Sequence, residues 1–395
     1  MLKTLTHKGE GAHFFECPIC SNQVKPSLRY TCPRCGNLVN ISYDYDSMRD
    51  RFTSVLGQLG PLSVWRYANL LPVSKDNAVS IGEGGTGLPR SRRLGQDLHL
   101  RELYFKNEGQ NPTGSFKDRG MTIAVTRAIE ITAKSVVCAS TGNTSASMAA
   151  YAAKAGLRAE VLIPKGKIAK GKLLQAIVHG AKIVELKGNF DNALRKARAI
   201  VEKNNRIYLA NSLNPYRIEG QKTIVFEVWE QLGHKVPDYL LVPVGNAGNI
   251  SAIWKGFKEL IRLRITNRAP RLIGVQAAGA APIAKAYSQG VETVKFLENP
   301  ETLASAIRIG APARWKGALS AVRESKGAML TVGDCEILHA QRLLADHEGI
   351  FAEPASAASL AGLIRVRKTG LIGANDRVVC IVTGHGLKDQ KIIAS

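Results

Sequence analysis

The chain has 395 residues, room for two or three domains at about 150 residues each, and carries 54 Lys and Arg against 32 Asp and Glu, a net charge of +22. Hydrophobic residues make up 45% and charged residues 22%, ordinary globular usage that excludes a disordered or collagen-like polymer. The stretch most worth testing as a membrane span, residues 135–153, holds four serines with Thr141, Asn143 and Thr144, and is too polar for hydrocarbon.

The first ten residues contain no apolar core of a signal peptide, so a soluble cytoplasmic protein is expected. Cys17-Pro-Ile-Cys20 and Cys32-Pro-Arg-Cys35 follow, four of seven cysteines. Two CxxC knuckles at this spacing fit tetrahedral thiolate ligation of structural Zn2+; a ribbon that keeps its fold without metal is the alternative. His13 lies before the knuckles, outside that pattern, and reads as a surface histidine.

Residues 1–45 therefore stand apart as a zinc-ribbon-like segment. Beyond them, helices and apolar strands alternate. Strands are expected at 135–139, 159–163, 182–186 and 206–210, with helices between them, which implies a parallel sheet. A second series has strands at 239–244, 272–276 and 378–382, the first almost continuously apolar, as a strand buried on both faces should be. Lys and Arg are scattered over these elements with no aromatic-and-basic stripe and no run of five like charges. That pattern favours a solvated basic surface drawing anionic small molecules over a nucleic-acid or membrane partner.

Five loops carry candidate chemistry. In Asn111-Pro-Thr-Gly-Ser115-Phe-Lys117-Asp118, the spacing of Ser115 and Asp118 reads as a capping box. Lys117 then lies in the first turn of a helix, where the dipole favours the neutral amine that Schiff-base chemistry requires; a surface ion pair is the plainer reading. Ser140-Thr141-Gly142-Asn143-Thr144 follows a strand and opens a helix, giving either an anion site or an N-cap with redundant hydroxyls. Gly245-Asn246-Ala247-Gly248-Asn249 is placed likewise and forms either a phosphate nest or a tight turn. Ser212 and Arg217 share a loop in which the guanidinium would clamp a phosphate or simply face solvent. Gly82-Glu-Gly84-Gly-Thr-Gly87 fits G-x-G-x-x-G but lacks the strand before and helix after that dinucleotide binding demands.

Taken in order, these motifs, with Ile81–Leu88 and Thr383-Gly-His-Gly-Leu-Lys388-Asp, resemble the threonine synthase family of fold-type II pyridoxal-phosphate enzymes over most of the chain. The resemblance implies an α/β protein of two domains with parallel or mixed open sheets after the ribbon. Residues 46–133 and 216–395 would form the large cofactor domain and residues 134–215 a small substrate domain. Lys117 would hold pyridoxal 5'-phosphate covalently and move protons. Asn143 would bond its ring hydroxyl, Gly245, Asn246, Ala247, Gly248 and Asn249 its phosphate, and Thr383 its ring nitrogen. Ser140, Thr141, Thr144, Ser212 and Arg217 would hold the substrate's carboxylate and phosphate. The implied reaction converts O-phospho-L-homoserine and water to L-threonine and phosphate, in a homodimer.

The family pattern is broken at Gly85 and Gly87, where a polar residue and a proline are expected, and at Gln390, another usual proline. A β-replacement paralogue acting on O-phosphoserine, of the cysteate synthase kind, would share nearly every motif. From another class, the ribbon and the charge would suit a nucleic-acid-binding protein with an inactive enzyme body.

Overall fold

The computed structural model describes residues 13–56, 60–165, 170–188 and 190–389. The opening ten residues and Gln390 lie outside them. β1 (His13–Glu16), β2 (Gln23–Val24) and β3 (Asn40–Tyr43) form an antiparallel sheet in the order β2-β1-β3. β4 (Glu102–Asn107) comes next. β5 (Ser135–Ala139), β6 (Arg158–Pro164), β7 (Lys182–Leu186) and β8 (Ile207–Leu209) build a wholly parallel sheet, β7-β6-β5-β8. β9 (Tyr239–Pro243), β10 (Arg271–Ala277), β11 (Ala328–Val332) and β12 (Arg377–Val382) join β4 in a second parallel sheet, β11-β10-β9-β12-β4. The α/β class and the parallel pairing follow the sequence pattern. Every residue of β5 and β9 is buried, as their continuous apolar runs require.

The chain divides into two compact units. The first takes the chain through Glu83, then Lys117–Thr223 and Arg262–Ile265; the second takes Gly84–Phe116, Ile224–Ile261 and the chain from Thr266 onward. In the second unit, β4, β9, β10 and β12 bury Phe105, Leu241, Val275 and Val378 in one core. In the first, β5, β6 and β8 pack with the helices Lys117–Glu130 and Asn143–Lys154 around Val136, Val161, Met121 and Tyr151. Ala146, Ala149, Ala150 and Ala152 are all buried, so this second helix lies close on its surroundings. No described helix is long and apolar enough to cross a membrane.

One approach is tighter still. A Cβ on Gly220, in the helix Pro215–Gln231, would stand 1.7 Å from the Arg119 carbonyl oxygen, and one on Gly120 would stand 2.6 Å from the Arg217 carbonyl oxygen. Two helices thus touch backbone to backbone at a pair of glycines, each three residues beyond Lys117 or Arg217, and no residue with a Cβ fits at Gly220.

His13 is not the surface histidine that the sequence suggested. It is partly buried, its Nε2 lies 3.1 Å from the Tyr216 hydroxyl, and burial, reinforced by Arg127, pushes its pKa down to about 4.

Gly220→Ala should lower the unfolding free energy by about 2–3 kcal/mol through overpacking, measured by urea titration. His13 binds its proton more readily in the unfolded chain, so its contribution is full above pH 6.5 and is lost as pH falls towards about 4. His13→Gln should therefore flatten the loss of melting temperature across that window, measured by thermal scans at successive pH values.

Candidate active site

In the first unit the functional loops lie at the carboxyl ends of β5 and β8, which are sheet neighbours. Asn211 ties them together: its amide donates to the Ala139 carbonyl and accepts from the Ala139 N–H, both at 2.9 Å. Asn214 caps the following helix, its Oδ1 accepting from the Tyr216 N–H at 3.0 Å, and Pro215 sits where no N–H is needed. Sequence reasoning assigned neither asparagine a role, because each bonds only to backbone.

Arg217 therefore does not face solvent. It is 2% exposed, one nitrogen donates to the Ala210 carbonyl at 3.1 Å, and its Nε has no partner. No carboxylate pairs with it among the described residues, and burial pushes its pKa down to about 10. A guanidinium buried without a counter-charge is costly unless an anion arrives. Nearby Cys138, in β5, is pushed up to about 12 by burial and is no thiolate to supply one.

The helix Asn143–Lys154 has no side-chain cap at Gly142. Ser140 Oγ instead accepts from the Gly142 N–H at 3.3 Å, and Ser145 donates to the Gly142 carbonyl at 2.8 Å. Ser140, Thr141, Thr144 and Ser212 are partly exposed, whereas Asn143 is buried. The redundant-cap reading of this loop thus fails.

Lys117 is the first residue of its helix and is partly buried. The capping box expected before it does not form: Ser115 Oγ is buried without a partner, and Asp118 accepts from Ser147 at 2.6 Å. Among the described residues Lys106 and Lys222 are fully buried, but both are neutralised, Lys106 by Glu227 at 2.7 Å and Lys222 by Glu219 at 2.6 Å. Neither amine is available for imine chemistry.

In the second unit the Gly245–Asn249 loop connects β9 to the helix Gly248–Arg262. Ala247 adopts φ 63, a left-handed geometry that turns successive N–H groups inward. A Cβ on Gly245 would meet Ile307 Cα at 3.0 Å. Asn246 spends its side chain on the Ala313 N–H, but both polar atoms of the buried Asn249 amide lack partners. At the end of the neighbouring strand β12, the Thr383 hydroxyl lies 2.9 Å from Ser356 Oγ, a residue that sequence reasoning missed. The Thr383 carbonyl accepts from the N–H of Phe116, the residue before Lys117.

The glycine-rich segment 82–87 offers no pyrophosphate cradle. Gly84, Gly85 and Gly87 donate their N–H groups to Asn111, Glu227 and Gln110 of the same unit. Gly87, where the family pattern has proline, thereby makes a bond that proline cannot. Glu83, unremarked in the sequence, is fully buried and accepts from Trp65 and Tyr151 at 3.0 and 2.7 Å.

The cysteine knuckles assemble as the spacing requires. The Cys17, Cys20, Cys32 and Cys35 sulfurs lie within 4.8 Å of one another, with contacts of 3.4 Å (Cys17–Cys35), 3.7 Å (Cys20–Cys32) and 3.4 Å (Cys20–Cys35). Thiolates about 2.3 Å from a tetrahedral Zn2+ stand about 3.8 Å apart, so the set fits zinc. The Asn37 amide donates to Cys35 Sγ and, with the Asn37 backbone, holds that thiol down at about 6, which favours the ligating form.

Residues 79–384 match the family model described as "Pyridoxal-phosphate dependent enzyme". The threonine synthase of Methanocaldococcus jannaschii is 53% identical over 91% of this chain and 89% of its own length. The chain belongs to the threonine synthase family of pyridoxal-phosphate enzymes. The threonine synthase of Methanosarcina acetivorans is 52% identical over 96% of this chain and 93% of its own, and that of Mycobacterium bovis 51% over 82% and 87%. Among solved structures, threonine deaminase isoform 2 from Solanum lycopersicum has a TM-score of 0.68 at 22% identity, covering 89% of this chain and 88% of its own. Maize serine racemase has a TM-score of 0.67 at 22% identity, covering 78% and 90%. These two share the fold.

Pyridoxal phosphate is the cofactor of this family, and the second unit's own residues fit it. The unpartnered Asn249 amide and Ser115 hydroxyl are buried donors awaiting an acceptor, and the left-handed turn at Ala247 suits a phosphate. Thr383 presents a neutral hydroxyl suited to a pyridine nitrogen.

The folded chain should bind one Zn2+ and lose it to a strong chelator. Metal analysis after dialysis checks the stoichiometry, and Cys20→Ser should reduce it to near zero.

Proposed function

We propose that this chain catalyses the conversion of O-phospho-L-homoserine and water to L-threonine and phosphate with pyridoxal 5'-phosphate. The observation that carries the reading is the buried Arg217 guanidinium, without a carboxylate, at the carboxyl end of β8. It calls for an anionic substrate group. A phosphate on the amino acid supplies one in addition to the α-carboxylate; the hydroxyl amino acid of a simple dehydratase has the carboxylate alone, and that is assigned to the Ser140–Thr144 loop.

Each residue has a role in this reading. Lys117 holds the cofactor and later takes and returns a proton at the substrate's Cα. Asn143 bonds the ring hydroxyl, Gly245 through Asn249 bind the cofactor phosphate, and Thr383 faces the ring nitrogen. Ser140, Thr141 and Thr144, at an uncapped helix start, receive the substrate carboxylate, while Ser212 and Arg217 receive its phosphate. When bound, the cofactor serves as an electron sink for the carbanion formed at Cα. A proton leaves Cβ as the phosphate, held by Arg217, departs from Cγ; the carbon–carbon double bond so formed takes up a proton at Cγ, and water then adds at Cβ. A hydroxyl at Thr383 leaves the ring nitrogen free to stay unprotonated, unlike a carboxylate.

The substrate is small. We further place the enzyme in the cytoplasm as a homodimer, consistent with the free thiols of the four-cysteine ribbon. The O-phosphoserine reading shares these groups and differs by one methylene in the distance from phosphate to Cα.

Purified protein given O-phosphohomoserine should release phosphate and threonine in equal amounts, and none from O-phosphoserine. Lys117→Ala should abolish both turnover and the visible absorbance of the lysine-bound cofactor. Turnover of O-phosphoserine alone would transfer the assignment to β-replacement.

A further inference from the structure

The ribbon does not end at its cysteines. Its strands β1 and β3 reach the start of the helix Pro215–Gln231, the helix that carries Arg217. From β3, the Tyr43 hydroxyl donates to Glu219 at 2.7 Å, and Lys222 Nζ, paired with the same carboxylate, stands 4.6 Å from the Tyr43 ring centroid. From β1, His13 bonds the Tyr216 hydroxyl at 3.1 Å. Tyr216, Glu219 and Lys222 recur at three-residue spacing along one side of the helix. Arg217 points elsewhere, to the Ala210 carbonyl at the end of β8. The helix is therefore held on one side by the ribbon and presents its guanidinium on another.

A buried, unpaired guanidinium tends to push its own helix away from the low-dielectric wall that surrounds it. The Gly120–Gly220 approach fixes where the helix is and, admitting no Cβ there, resists rotation about its axis on one side. The bonds to Tyr43 and His13 oppose that rotation, because they lie off the axis and one ends on a buried charged pair.

We propose that the cysteine ribbon is a positioning element for the substrate's phosphate: through Tyr43 and His13 it sets the rotation of the Arg217 helix. Tyr43 and His13 are positioning residues that touch no substrate. The proposal rests on the assignment of Arg217 to an anionic substrate group.

The test uses the full-length, cofactor-loaded enzyme and four measurements: inorganic phosphate affinity by calorimetry, KM and kcat with O-phosphohomoserine, and cofactor absorbance. Loss of one hydrogen bond of ordinary net strength corresponds to a change of roughly three- to tenfold in an equilibrium constant. Tyr43→Phe, which keeps the ring beneath Lys222, should weaken phosphate binding and raise KM by that factor. It should leave kcat within twofold and the absorbance unchanged. Tyr216→Phe, which removes the bond to His13, should move the same quantities in the same direction, and serves should Tyr43→Phe not fold.

Unchanged phosphate affinity and KM in both variants would overturn the proposal. So would a parallel loss of kcat, KM and absorbance, the sign of general loosening. Arg217→Lys separates the two readings. If it leaves phosphate binding intact, the arginine assignment itself fails; if it weakens binding while the tyrosine variants do not, the ribbon's role alone fails.

Discussion

The backbone contact between Gly120 and Gly220 is the constraint on which the first unit depends. At Gly220 a methyl group would overlap the Arg119 carbonyl, so the two helices cannot separate by even one side-chain layer without losing their packing. Lys117 and Arg217 sit three residues upstream on their respective helices, so the crossing sets both at once. The amino-terminal ends of two helices also meet there, and their dipoles add to the guanidinium's positive potential. Attraction of anions to this place follows from backbone geometry before any particular side chain is considered.

Charge is handled in two opposite ways. Lys106 with Glu227 and Lys222 with Glu219 are buried pairs whose charges cancel, the first joining residues 121 positions apart and the second lying within one helix. Glu227 also takes the Gly85 N–H, so the glycine-rich segment is held by the same carboxylate that neutralises Lys106. Arg217 is left without such a partner. Two buried charges are thus matched within the chain, and the buried guanidinium of Arg217 is not.

Most of the framework was legible because parallel strands buried on both faces read as apolar runs, as in Ser135–Ala139 and Tyr239–Pro243. β4 was not, because Glu102 and Lys106 interrupt its apolar pattern, and Lys106 is buried only through a glutamate 121 positions away. The ordered motifs located the candidate loops, since glycine, asparagine and hydroxyl residues after strands have few purposes. Burial was another matter: Arg217 read as an ordinary loop arginine, and nothing local shows that Asn214 and Gly220 carry it inward. Ser115 misled for the reverse reason, as its expected capping partner Asp118 is claimed by Ser147 from another helix. Long-range competition of that kind leaves no mark in a local pattern.

The strand order of the second unit bears on how the molecule comes into being. β12 is the last described strand along the chain, yet it lies inside its sheet, between β9 and β4, with Thr383 directly after it. Until it is synthesised, β9 and β4 have no partner on their facing edges, and β4 must wait through some 270 residues of translation. The sheet closes by insertion at its middle rather than by growth at its edge, a slow, non-local event. A ribosome-bound chain short of β12 thus exposes two strand edges at once, and quality control would meet that state before any cofactor could.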